Sequence, residues 1–176
     1  MYERFTDRAR KVVALANQDA VRRRAAAVDT EHILLGLLEE RKGVAGNVLH
    51  YLGIDWESLS AAITSRKKSC PPAKALPESP PPVELPRSFW QATRSAYLRF
   101  LAVQFGPRLP LTTASRRLIE HALEEARELG HNYVGTEHLL LGLLRQPDCT
   151  AAELLTEQGL VLEDVRREVL ELLGCA

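Results

Sequence analysis

Val28-Asp29-Thr30-Glu31-His32-Ile33-Leu34-Leu35-Gly36-Leu37-Leu38 returns later in the chain as Val134-Gly135-Thr136-Glu137-His138-Leu139-Leu140-Leu141-Gly142-Leu143-Leu144, a displacement of 106 positions. The same displacement, without a gap, carries Thr6 to Thr112, Arg10 to Arg116, Ala16 to Ala122, Ala45 to Ala151, Leu49 to Leu155 and Gly53 to Gly159. A register held over that span marks a duplicated structural unit. The copies occupy residues 1–66 and 109–176 of the 176.

Each copy reads as four helices. Thr6 can N-cap a helix in which Ala9, Val12, Val13, Ala16 and Ala20 recur at helical spacing, and Thr112 stands likewise before Ile119, Ala122, Leu123 and Ala126, with Gly130 as the stop. Thr30 and Thr136 are expected to cap second helices that open on a glutamate and turn Leu34, Leu37 and Leu38, or Leu140, Leu143 and Leu144, toward a core. Third helices are expected near residues 45–52 and 151–158, and fourth ones near 56–63 and 163–173. No stretch alternates as a strand does, so the fold class is all-α.

Residues 67–108 interrupt the duplication. Seven prolines between Pro71 and Pro86 make an extended linker that cannot be helical. Ser88 and Gln91 then open an amphipathic aromatic helix through Phe89, Trp90, Tyr97 and Phe100 to about Gln104. That helix suits the protein's own core, or a partner within reach of the linker.

Composition narrows the function. Lys plus Arg and Asp plus Glu number 23 each, so the chain as a whole carries no electrostatic footprint for nucleic acid or an anionic membrane. Cys70, Cys149 and Cys175 form an odd set without zinc spacing, and residues 1–20 lack the apolar core of a signal peptide; a cytoplasmic protein is expected. No GxxxxGK[ST] is present, which argues against ATP hydrolysis by these residues. His32 and His138 have no second ligand at helical spacing, so structural roles at the helix start are expected rather than metal binding or catalysis.

A Thr-started first helix, the Thr-Glu-His-x-Leu-Leu-Leu-Gly-Leu run and a third helix ending in Leu-x-x-x-Gly, all present twice, resemble the Clp N-terminal repeat domain, closest to the ClpC kind, here without ATPase modules. The resemblance covers both copies but not residues 67–108. It implies one pseudo-symmetric, non-catalytic and cofactor-free bundle that binds substrate and adaptor proteins for Clp ATPase or Clp protease subunits in protein quality control. It also implies a phosphoarginine pocket in each copy, with Thr6 and Glu31 in the first and Thr112 and Glu137 in the second. The alternative is a regulator resembling ClpT, which binds the protease core instead.

The pocket chemistry is reasonable in itself. A helix N-terminus and a Thr hydroxyl suit a phosphoryl group, and a carboxylate suits a guanidinium. The same residues are also what helix starts prefer without any ligand. The copies differ just before the motif, where Arg22-Arg23-Arg24 in the first stands against Leu129-Gly130 in the second. The arginines are expected to compete for Glu31 or to repel a cationic peptide, leaving the better site to the second copy.

Overall fold

Thr6 and Thr112 each end an extended segment and begin a helix: their hydroxyl oxygens accept from the amides of Ala9 at 3.2 Å and Ser115 at 3.1 Å, the N-cap bond that threonine makes at this position. The computed structural model describes residues 4–69 and 109–174. They form α1 (Asp7–Arg22), α2 (Thr30–Glu39), α3 (Val44–Tyr51), α4 (Trp56–Ser69), α5 (Thr113–Glu128), α6 (Thr136–Leu144), α7 (Thr150–Glu157) and α8 (Leu162–Leu173), with no named strand among the described residues. The proline-rich stretch from Cys70 and the aromatic helix expected over residues 88–104 lie outside the described residues.

Two expectations shift. The second helices begin one residue early, because Asp29 and Gly135, not Thr30 and Thr136, are the N-caps. At Asp29 the cause is the carboxylate, a stronger acceptor than a hydroxyl, which takes the Thr30 amide at 2.7 Å. The fourth helix of the first copy runs on to Ser69, beyond the boundary expected at residue 66.

α2 and α6 are the buried centre. Every residue of α6, and every residue of α2 from Thr30 to Leu38, is shielded from solvent, which is why both read as nearly all-apolar rather than amphipathic. α1 lies across α2, and α5 across α6, at the repeated glycine. A Cβ on Gly36 would fall 2.6 Å from the Val12 carbonyl oxygen, and one on Gly142 2.6 Å from the Ala122 amide nitrogen. Backbone atoms cannot yield as a side chain can, so these crossings require glycine.

The copies are joined reciprocally. Phe5 forms a parallel bridge with Val134, and Val28 one with Leu111. The Thr6 amide donates to the Val134 carbonyl at 3.0 Å and the Val134 amide to the Arg4 carbonyl at 2.8 Å; Val28 donates to Pro110 at 2.8 Å and Thr112 to Val28 at 3.0 Å. Each copy's lead-in segment is thus paired with the loop preceding the other copy's second helix. Isolated bridges of this kind leave no alternating pattern in the sequence.

Within the arginine cluster, Arg23 ties α1 to α4. Arg23 donates to Asp19 at 2.7 Å and to the α4 hydroxyls of Ser60 and Thr64 at 2.6 and 3.0 Å. Arg24 takes φ 55° at the end of α1, where the second copy has Gly130 at φ 72°.

Candidate binding groove

The loops that carry the bridges bring three helix starts together. A groove of about 350 Å³ is lined by Thr6, Asp7 and Arg8 from the start of α1, Lys42, Gly43 and Val44 from the start of α3, and Gly135, Thr136 and Glu137 from the start of α6. The first two sets belong to one copy and the third to the other. Helix N-termini present unpaired amides and the positive end of the peptide dipole. Arg8 and Lys42 add two cations, both on exposed residues.

The groove pairs the expected residues differently from the sequence reading, which placed Thr6 with Glu31 and Thr112 with Glu137. Thr6 instead shares its groove with Glu137. Thr112 turns to the first copy, donating its hydroxyl to Asp29, the N-cap of the helix that bears Glu31, at 3.0 Å.

Glu137 forms an acidic floor. It is only 4 % exposed, and its carboxylate folds back over Gly135, where a Cβ would come within 2.1 Å of Oε1. The Thr136 hydroxyl approaches Oε2 at 3.4 Å. Thr136 also serves the neighbouring helix: Gly43 has no side chain to cap α3, and the Ala45 amide donates to the Thr136 hydroxyl at 3.4 Å instead. Beside Gly43, the buried Glu40 holds Arg8 at 3.4 Å through Oε1 while its Oε2 has no hydrogen-bond partner among the described residues. Phosphoryl-sized anions and a guanidinium could both be met here, the first by helix starts and cations, the second by Glu137.

His138 and His32 are structural. Each Nδ1 accepts the amide of its helix N-cap, Gly135 or Asp29, at 2.9 Å. His138 Nε2 then lies 2.9 Å from His131 Nδ1, and His131 stacks on Tyr133 with ring centres 5.0 Å apart. Burial of the ring, followed by the charge of His131, lowers the His138 pKa to about 4. Among the described residues no group of three His, Cys, Asp or Glu side chains could hold a metal, and no helix is long and apolar enough to cross a membrane.

Sequence reasoning passed over Arg8, Lys42, Gly43 and Gly135. The signal was present in the 106-position displacement, which sets each of them against a different residue type in the other copy.

The architecture defines a class: a duplicated four-helix unit whose polar helix starts meet at the seam between copies. The Clp repeat (R) N-terminal domain model matches residues 4–97 and 110–175, and the chain belongs to that family. Over 174 residues it is 35 % identical to the negative regulator of genetic competence ClpC/MecB of Bacillus subtilis and 38 % identical to an ATP-dependent Clp protease ATP-binding subunit ClpA homolog of Guillardia theta. Each match covers 99 % of this chain but 18 % of the relative, so the chain corresponds to a fraction of those proteins. In fold it is similar to the N-terminal domain of the chaperone ClpD from Arabidopsis thaliana (TM-score 0.67, 20 % identity, 99 % of this chain and 97 % of that one). The Hsp104 N-terminal domain from Candida albicans is likewise similar (TM-score 0.62, 17 % identity, 99 % and 94 %).

Proposed function

We propose that this chain is a cytoplasmic receptor module that captures substrate or adaptor proteins for Clp ATPase or Clp protease subunits, and that its groove takes a phosphorylated arginine side chain. The observation that carries this reading is the convergence of three helix starts, Arg8 and Lys42 above a buried Glu137. A phosphoguanidine is anionic at one end and a planar hydrogen-bond donor at the other. The helix starts and the two cations would receive the phosphoryl oxygens, with Thr6 adding a hydroxyl, and Glu137 would accept from the guanidino nitrogens.

The test is fluorescence anisotropy with one peptide carrying arginine, phosphoarginine or phosphoserine at the same position. Only the phosphoarginine form should bind, and Glu137→Ala should weaken it at least about tenfold, the expected cost of losing a charge-assisted hydrogen-bond acceptor. Equal binding of the three peptides, or binding unmoved by Glu137→Ala, would overturn the ligand. A native-lysate pull-down beside the Glu31→Ala, Glu137→Ala double mutant separates substrates, expected to be lost, from Clp subunits, expected to be retained.

A further inference from the structure

We infer that the chain has one such site and not two: it closes the pseudo-symmetric counterpart with its own Asp29 carboxylate and the loss of both cations. The ligand chemistry rests on the proposed function above; the closure rests on the geometry of the other half. The 106-position displacement relates Thr6, Arg8, Lys42, Gly43, Gly135 and Glu137 of the open groove to Thr112, Ala114, Asp148, Cys149, Asp29 and Glu31. Only the threonine and the glutamate are kept.

Three of the four changes act against an anion. Gly135 presents no side chain of its own, only the Glu137 carboxylate that lies over it, and α6 starts without a side-chain cap. Asp29 places a carboxylate at the equivalent point, where Oδ1 accepts from the Thr30 amide at 2.7 Å and from the Thr112 hydroxyl at 3.0 Å. Those are the donors, a first-turn amide and the threonine of the other copy, that a phosphoryl oxygen would engage. An internal anion has taken them.

The starts of α3 and α7 differ as well. Gly43 is packed against Thr136 and Glu40, whose side-chain oxygens stand 2.5 and 2.8 Å from where a Cβ would be. In the other half Cys149 is 4 % exposed, and its sulfur caps α7 by accepting from the Ala152 amide at 3.4 Å. Finally, the cations Arg8 and Lys42 become Ala114 and Asp148. A dianionic ligand would meet two carboxylates there, and like charges at contact distance repel.

The test is isothermal titration of the whole chain with phosphoarginine, with amide NMR shifts locating the ligand at α6 or α2. Wild type should bind one equivalent, lost in Glu137→Ala and unaffected by Glu31→Ala. The opened variant, Asp29→Gly, Cys149→Gly, Ala114→Arg and Asp148→Lys together, should bind a second equivalent that a further Glu31→Ala removes. Two equivalents in wild type, or one in a folded opened variant, would overturn the closure.

Arg8→Ala together with Lys42→Asp guards against an opened variant that fails to fold. It copies Ala114 and Asp148 into the open groove and should abolish binding in a folded chain; retained binding would count against closure by charge. If wild type binds nothing while the opened variant binds at α2, the native-site reading fails and the closure stands. Binding by neither overturns both.

Discussion

His138 has a defined tautomer because its surroundings leave one choice. Its Nδ1 accepts the Gly135 amide, so the neutral ring carries its proton on Nε2 and donates it to His131 Nδ1. Protonation would set a second N–H against the Gly135 amide in a buried place. Glu137 Oε1, 3.4 Å away, favours the charged ring, but burial and His131 outweigh it and hold the pKa at about 4. The unfolded ring titrates near its ordinary value of 6.5. This contribution to stability is therefore complete above about pH 6.5, is lost as pH falls toward 4, and amounts to about 3 kcal/mol. Urea unfolding across that window should show the slope in wild type and a smaller one in His138→Gln. Arg24 offers a second residue-scale prediction: held at φ 55°, it should gain stability on replacement by glycine, by up to about 1 kcal/mol in thermal or urea unfolding.

At the scale of elements, the glycine crossings should be intolerant. Gly142→Ala improves helix propensity by about 1 kcal/mol, yet its methyl must displace backbone of α5, and a net loss of about 1–3 kcal/mol is expected from urea midpoints. Elements were also what the sequence displayed best. Eight helices were legible because caps, apolar spacing and stops are local, and the duplication supplied each reading twice. The exact starts of α2 and α6 were less so: Asp29 and Thr30 compete for the same capping role at α2 and the carboxylate wins, while at α6 the N-cap is Gly135, which has no side chain to signal it. The site was legible in its residue types and obscure in its pairing. Thr6 and Glu137 are brought together by the bridge between Phe5 and Val134, a contact between distant segments that no spacing encodes. Besides the Arg22-Arg23-Arg24 run, the copies differ at positions 8, 42 and 43, which line the groove, and at position 29 in its counterpart.

Over the whole molecule, reciprocal pairing makes the copies interdependent. Neither bridge can form within one copy, and α2 and α6 bury part of their surfaces on each other. A chain of residues 109–176 alone should therefore lack cooperative unfolding, whereas calorimetry of the intact chain should give a single transition with equal calorimetric and van't Hoff enthalpies.

Both bridges cross the seam between the copies, and parting the copies must break both. A ligand seated in the groove touches Thr6 on one side and Glu137 on the other, so it acts as a rivet across that seam. At a hundredfold excess over its Kd it adds about 2.7 kcal/mol against separation. Deuterium uptake should then slow not only at the ligated end but also at the Val28 and Thr112 amides, which the ligand never meets.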